Sequence, residues 1–230
     1  MLRSLPLLAL AAAVACTSTP AVNTTPTPAA APPAPADEHA GHAMPGAHAG
    51  HQPTAAPDDH AAHGLPPVSI PAGALITEAD VRFMQMMIGH HAQAVYMTRL
   101  AEGAGASDRV LKLAHKIDLS QAGEIALMQG WLAEYKQHVP DIDSWRGMQM
   151  QGMLTPAQLE QLSAARGREF DRLFLQLMIK HHEGAIQMVA DLLNTPRAAQ
   201  EVDVNVLANE IEAAQLAEIE LMWQMLAELG

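Results

Sequence analysis

One stretch of this sequence occurs twice, and it constrains the fold more than any other feature. The first copy covers residues 83–97 and the second covers residues 174–188. With the aspartates that precede them, Asp80 and Asp171, both copies read Asp-x-x-Phe-x-x-x-Met-Ile-x-His-His-x-x-Ala-x-x-Met. A His-His pair repeated in the same frame indicates an internal duplication, so the fold must accommodate two equivalent clusters of histidine and methionine.

The segments that follow the two copies also match each other. Both keep apolar residues at helical spacing and share the pattern Ala-x-x-Ile-x-x-x-Gln-x-x-Glu-Ile-x-Leu-Met, which begins at Ala114 and again at Ala208. Residues 103–107 and 194–196 break the helical pattern between each copy and the segment that follows it. The duplicated unit is therefore predicted to be a helical hairpin.

Capping and breaking residues set the predicted helix boundaries. The helices are expected to start after Thr77, Ser107, Thr155, Gly167 and Pro196, and to end near Glu102, His138, Arg166, Leu193 and Leu229. Aromatic residues make up only 3% of the chain, and its apolar residues are mostly Ala, Leu, Met and Ile, which favours helices over a sheet. Residues 77–230 are therefore predicted to form an all-α domain. Two duplicated hairpins bury their apolar faces most simply as a four-helix bundle with pseudo-twofold symmetry.

The chain begins like an exported protein. Arg3 precedes an apolar run, residues 5–15, that is too short to span a membrane but suits a secretory signal peptide, here residues 1–15. The run ends in Ala-Val-Ala-Cys16, and two interpretations stay open: ordinary cleavage at Ala-x-Ala, or a lipobox in which Cys16 becomes the lipidated first residue. Lipidation is favoured because Cys16 is the only cysteine and an extended polar segment follows it. This predicts a periplasmic protein of the cell envelope, anchored by lipid to the outer membrane.

Residues 16–76 are predicted to be a disordered tether. Between Thr17 and Leu75 there is no Lys or Arg, and Ala, Pro, Thr, Gly and His dominate, so the segment cannot bury enough apolar surface to offset its ordering entropy. The histidines of the tether are expected to capture metal ions weakly; the alternative is a plain linker whose composition drifted toward histidine. The candidate ligands are half of the twelve histidines and form three His-x-x-His units: His39, His42, His48, His51, His60 and His63.

The repeated stretch brings imidazole and thioether groups onto one helix face. At 100° per residue, Met87, His90 and Met97 fall on one stripe, with His91 beside Met87. The second copy places Met178, His181, His182 and Met188 in the equivalent positions. Thioether sulfur with imidazole suits Cu(I), whereas imidazole alone also accepts Cu(II), Zn or Ni. The chain contains no Glu-x-x-His, which argues against a carboxylate di-iron centre.

Other interpretations of these residues remain open. Methionine at helical spacing is often core filler, and paired histidines could serve only as buried hydrogen-bonding groups of a structural or interaction module. A Zn or Ni binder is a further alternative. The polar residues Gln121, Glu124, Gln215 and Glu218 would either hydrogen-bond the imidazoles or join helices to each other. Three more methionines resemble the methionine-rich segments of copper carriers but could equally anchor a loop: Met148, Met150 and Met153.

Composition and motifs argue against several function classes. The formal net charge of −12 does not fit a nucleic-acid-binding surface. No activated nucleophile, phosphate-binding loop or dinucleotide fingerprint is present in the sequence. We therefore expect a binding protein rather than an enzyme.

The doubled motif, with the Gly-Met-x-x-Pro-like segment between its copies, resembles the domain-of-unknown-function family 305 over residues 77–229. The resemblance implies a ferritin-like four-helix bundle exported from a bacterial cytoplasm, and some members are implicated in periplasmic copper binding and resistance. Together with the soft donor set, it makes copper the expected metal, as Cu(I) in the bundle and also as Cu(II) at the tether. A copper-handling protein of the envelope is the expected partner for its exchange. The resemblance also implies copper-handling roles for Met87, His90, His91, Met97, Met178, His181, His182 and Met188.

Overall fold

The computed structural model describes residues 64–230. The predicted signal peptide, Cys16 and the six tether histidines lie outside these residues. Within residues 64–230 the regular structure is entirely helical. The elements are α1 (Glu78–Gly103), α2 (Asp108–Glu134), a 3-10 helix (Ile142–Gly147), α3 (Pro156–Ala164), α4 (Gly167–Asn194) and α5 (Val202–Leu229).

The starts of α1, α2 and α3 agree with the capping signals in the sequence, whereas α5 begins at Val202, later than the predicted start after Pro196, with the Glu201 side chain as its cap. Thr77 and Asp80 form a reciprocal capping box at α1, Ser107 caps α2, and Thr155 pairs with Gln158 at α3. One predicted end is wrong: α2 stops at Glu134 instead of near His138.

The early end of α2 is a Schellman motif. The amide of Gln137 donates to the carbonyl of Leu132 at 2.8 Å, and the amide of Lys136 donates to Ala133 at 3.0 Å. Lys136 adopts the left-handed conformation, with φ at 55°. Glycine usually takes that position, so the sequence carried no stop signal there.

The four long helices form a bundle of two hairpins, as predicted. Helices α1 and α2 form one hairpin and α4 and α5 the other, and α1 packs against α4. Helices α2 and α5 run antiparallel to each other. Arg109 pairs with Glu228 at one end, and the indole of Trp131 donates to Glu201 at 3.1 Å at the other. None of the helices within residues 64–230 is long and apolar enough to cross a membrane.

The repeated aspartates lock the two hairpins together. Asp80 of α1 accepts a hydrogen bond from the amide of Ala199, at the turn into α5, at 2.6 Å. Asp171 of α4 accepts from the amide of Ser107, at the turn into α2, at 3.1 Å. Each hairpin therefore holds the turn of the other, and both carboxylates are buried. The aspartate of the repeat has a structural role.

The apolar core is divided into two clusters. The first contains residues from the start of α1, the end of α2, the end of α4 and the start of α5. The second contains residues from the opposite ends of the same four helices. Buried polar residues occupy the middle turns between them, and we call this group the polar layer: His90, His91, Gln121, His181, His182, Gln215 and Glu218.

The chain contacts the bundle before the predicted boundary at residue 77. Leu65, Val68 and Ile70 pack against the first cluster, and Ile76 is buried. The side-chain amide of Gln137 donates from Nε2 to the carbonyl of Ser69 at 2.9 Å. The last part of the predicted tether, from Leu65 onward, is therefore docked on the bundle.

Candidate metal centre

The four histidines of the repeat converge at the middle of the bundle. All four side chains have zero exposure. The rings of His90 and His181 meet across the pseudo-twofold axis, with centroids 3.9 Å apart and planes tilted by 39°. The ring centroids of His91 and His90 are 6.5 Å apart, and those of His182 and His181 are 6.4 Å apart. The ring planes are tilted by 57° in both pairs. The two His-His pairs thus form a single imidazole cluster.

Three imidazoles are bonded through Nε2 to groups that only accept hydrogen bonds. His91 donates to Glu124 at 2.6 Å, and His182 donates to Glu218 at 2.8 Å. His90 donates to the backbone carbonyl of Gln151 at 3.0 Å. A carboxylate or carbonyl partner places the proton on Nε2, so the lone pair of each ring lies on Nδ1. The same arrangement orients and tunes imidazoles that ligate metals in other proteins.

Several polar atoms of the layer have no hydrogen-bond partner in the protein. They comprise Nδ1 of all four histidines, Nε2 of His181, and the side-chain amides of Gln121 and Gln215. Leaving a buried polar atom unpaired costs about 1–3 kcal/mol. A purely structural layer would be expected to pair these atoms, so the arrangement fits groups that bind a ligand.

Three imidazoles of the layer, those of His90, His181 and His182, are kept neutral. Burial, reinforced by the nearby His91, lowers the pKa of His90 to about 3. Burial and the neighbouring His90 lower the pKa of His181 well below its usual value. Burial also lowers the pKa of His182, and the hydrogen bond to Glu218 only partly offsets that effect. Neutral imidazoles carry the lone pairs that a metal requires.

Glu218 is the ionised hydrogen-bond partner of the neutral His182 imidazole. Burial acts to raise its pKa, but the hydrogen bond from His182 and the charge of Lys116, 3.3 Å away, outweigh burial and leave the pKa below its ordinary value. The carboxylate therefore stays an acceptor at neutral pH. Glu124, its counterpart in the duplication, accepts a further hydrogen bond from Ser120 at 3.2 Å.

The predicted methionines flank the imidazole cluster on both sides. Met87 and Met188 belong to the first apolar cluster, and Met97 and Met178 belong to the second. All four are buried. Among residues 64–230, no three His, Cys, Asp or Glu side chains are arranged to hold a metal ion by themselves. A metal bound in this layer would thus require thioether sulfur or a rearranged imidazole.

The structure separates the polar residues whose role the sequence left open. Glu124 and Glu218 hydrogen-bond the imidazoles, whereas the amides of Gln121 and Gln215 do not. The remaining histidines of the described residues, His115 and His138, are exposed and lie away from the cluster.

Sequence reasoning missed the part played by Gln151. Its carbonyl contacts His90 across 61 residues of sequence, so no local pattern could reveal the contact. A clue existed in the duplication: Gly184 stands where the first copy has Gln93. A side chain at Gly184 would collide with the backbone of Gln151 and Gly152.

Comparison with known proteins identifies the family. The sequence profile of the family described as "Domain of unknown function (DUF305)" matches residues 80–226. The chain belongs to the DUF305 family. No curated protein matches it.

Solved structures similar to this one include two DUF305 proteins and the protein CopM. A candidate secreted protein from Streptomyces coelicolor is 32% identical, with a TM-score of 0.59 over 66% of this chain and 94% of that one. A fragment from Deinococcus radiodurans is 31% identical, with a TM-score of 0.57 over 66% and 98% of the two chains. CopM in its Cu(II)-bound form is 30% identical, with a TM-score of 0.55 over 66% and 97%. CopM has also been solved in Cu(I)-bound and silver-bound forms.

Proposed function

We propose that this DUF305 protein binds copper, as Cu(I), in the polar layer at the centre of its bundle. One observation carries the proposal: three imidazoles donate Nε2–H to fixed acceptors while their Nδ1 lone pairs stay buried and unpartnered. His181 adds a ring with no partner at either nitrogen. Copper is the cargo of this site, and the protein would sequester it or pass it on.

The donor set favours a soft metal. Neutral imidazole and thioether sulfur suit Cu(I), and the buried methionines Met87, Met97, Met178 and Met188 lie in the clusters that border the imidazoles. The copper-bound and silver-bound forms of the similar protein CopM support this choice. Zinc and nickel would depend on the imidazoles alone, and the methionines would then be replaceable filler.

A purely structural role for the histidines is the main alternative. The bonds of His91 to Glu124 and of His182 to Glu218 would serve that role well. That role does not account for the close ring contact of His90 and His181, or for the unpaired nitrogen atoms. Metal ligation accounts for both features.

The proposed setting of the protein is the bacterial cell envelope. The signal peptide of residues 1–15 would export it, and Cys16 would anchor it by lipid to the outer membrane. The histidines of the tether would capture copper loosely, Cu(II) included, and the bundle would hold Cu(I) more tightly. An envelope copper-handling protein would receive the metal, and no catalytic step is proposed.

The decisive experiment separates the bundle from the tether. In what we call the tether variant, His39, His42, His48, His51, His60 and His63 of the full chain are changed to Ser. Anaerobic titration with Cu(I) against a chelating competitor should show tight binding by the tether variant. Adding His90→Leu and His181→Leu should remove it, while circular dichroism confirms a folded bundle. Undiminished affinity in that variant would refute the proposal.

Metal identity needs its own test. Changing Met87, Met97, Met178 and Met188 to Leu in the tether variant conserves volume, at a cost of less than about 1.5 kcal/mol for each site. We expect a large loss of Cu(I) affinity and little change in Zn(II) affinity. Cu(I) affinity that survives the four substitutions would favour the zinc or nickel alternative.

A further inference from the structure

Residues 148–154, which we call the strap, cross α1 and α4 above the imidazole cluster. The segment is held at both ends. On its N-terminal side, the ring of Trp145 packs on Tyr96 with centroids 5.5 Å apart. At its C-terminal end, the side chain of Gln93 bonds both backbone groups of Leu154, at 2.7 and 3.1 Å.

The middle of the strap lies directly on the helices. Gly152 has φ at 77°, and a Cβ on it would lie 2.7 Å from the Cα of Gly184 and 2.7 Å from the carbonyl of Lys180. Glycine is required at both contacting positions because any side chain there would push the strap away. The equivalent of Gly184 in the first copy is Gln93, so the duplication diverged where the strap is seated.

One residue of the strap, Gln151, lies between His90 and solvent on this face. The side chain of Gln151 is exposed to solvent, while its own carbonyl accepts the hydrogen bond from the fully buried His90. On the opposite side of the cluster, the imidazoles are covered by α2 and α5 through Glu124 and Glu218. A ligand from solvent therefore has only a short distance to cover at the strap to reach His90.

Two thioether side chains of the strap lie against α1 at Gly89, the residue that precedes His90. The sulfur of Met148 lies 2.6 Å from where a Cβ of Gly89 would be, next to His90, and the methyl group of Met150 lies 3.7 Å from the same point. Met148 is buried, with 7% exposure, whereas Met150 is half-buried. The second copy has the exposed Lys180 in place of Gly89, so this close approach belongs to α1 alone.

We propose that Met150 and Met148 form a loading site that takes a soft monovalent cation, Cu(I) or Ag(I), from solvent and passes it to the imidazole cluster at His90. This inference rests on the proposed function of the cluster. Thioethers bind soft cations, and the fall in exposure from Met150 to Met148 to His90 orders the steps of ligand exchange. Only ligands are exchanged, and the metal keeps its oxidation state.

The test measures how fast copper is loaded. The tether variant and its Met148→Leu/Met150→Leu derivative are mixed anaerobically with a coloured Cu(I)–chelator complex, and transfer is followed by absorbance. We expect loading to slow by about tenfold. A relay speeds loading and release equally, so the equilibrium affinity should stay within about threefold.

Two further variants make the result specific. Met153→Leu changes a buried methionine of the same strap that is not among the atoms nearest Gly89, and it should load at the parental rate. Met150→Leu alone, at a half-buried position, should retain part of the slowing and does not disturb the core.

The outcomes are distinguishable. If the tether variant binds no Cu(I), the proposed function fails and the loading site fails with it. If it binds Cu(I) but the double variant loads at the parental rate, only the loading site is refuted. A double variant with much weaker equilibrium affinity would make the two methionines resident ligands, which also overturns the relay.

Discussion

His90 and His181, equivalent residues of the two repeats, touch at the pseudo-twofold axis with ring centroids 3.9 Å apart. Their surroundings differ because only one strap crosses this face. His90 bonds the carbonyl of Gln151, whereas neither nitrogen of His181 has a partner in the protein. A duplication that is nearly symmetric in sequence thus has an asymmetric centre, with one imidazole held in place and one unconstrained by hydrogen bonds.

His181→Leu should stabilise the metal-free protein while abolishing tight copper binding. The substitution removes a buried, unpartnered imidazole and with it a penalty of about 1–3 kcal/mol. Urea denaturation of the metal-free full chain measures the change. The matched variant His182→Leu should destabilise, because it removes the hydrogen bond from His182 to the buried Glu218 and leaves only Lys116 as its partner. Equal destabilisation by both variants would contradict this account of the layer.

The metal-free protein should lose stability as the pH falls below about 6.5. The folded state holds the pKa of His90 near 3 and those of His181 and His182 below their usual value, so the unfolded chain binds more protons in this range. Each of these three histidines then removes up to about 1.4 kcal/mol for each pH unit. Above the unfolded pKa this contribution is constant.

Urea midpoints measured between about pH 7 and pH 5 would test this dependence. The exposed His115 offers a control, because His115→Gln should keep the parental slope, whereas His181→Leu should flatten it. A midpoint independent of pH would count against neutral buried imidazoles.

Removing the acceptors of Nε2–H should weaken copper binding. Glu124→Gln or Glu218→Gln keeps the shape of the side chain but removes the carboxylate that orients the imidazole and makes it more basic. Such partners are typically worth about 10- to 100-fold in metal affinity. Competition titration of the tether variant measures the loss, and Glu134→Gln, at an exposed position of α2, should cause none. Unchanged affinity in the first two variants would show that Nδ1 of these rings is not the ligating atom.

The repeated aspartates should matter for stability. Asp80→Ala removes the acceptor for the amides of Ala199 and Thr77, with an expected loss of about 2–4 kcal/mol in the free energy of unfolding. Asp171→Ala should cost less because its hydrogen bonds are longer, at 3.1 and 3.3 Å. Exposed Glu102→Ala provides the baseline, within about 0.5 kcal/mol of the parent. If chemical denaturation gave Asp80→Ala the same free energy of unfolding as Glu102→Ala, the structural role of the repeated aspartates would be disproved.

Cys16 should carry the membrane anchor. In cells expressing the full chain, we expect incorporation of a labelled fatty acid and recovery in the membrane fraction. Cys16→Ser should release the protein into the soluble envelope fraction without changing the copper affinity of the bundle. A parental chain that takes up no fatty acid would leave simple cleavage after Ala15 as the explanation.

The duplicated hairpin, the starts of the first four helices and the residues of the imidazole cluster could all be inferred from the sequence, whereas the start of α5 at Val202 could not. Helical spacing and capping are local, so they are visible within a few turns of chain. The end of α2 was missed because Lys136 occupies the left-handed position after the helix, where glycine is the usual residue and the usual sequence signal.

The sequence by itself determined that two His-His pairs would occupy equivalent positions on two helices of an all-α bundle. Only the tertiary structure decided which nitrogen of each ring is bonded, that the two pairs meet in one cluster, and that a methionine-bearing strap covers it. The reason is physical: the partners of His91, His182 and His90 lie 33, 36 and 61 residues away. Contacts of that range depend on how the helices pack, which no local pattern encodes.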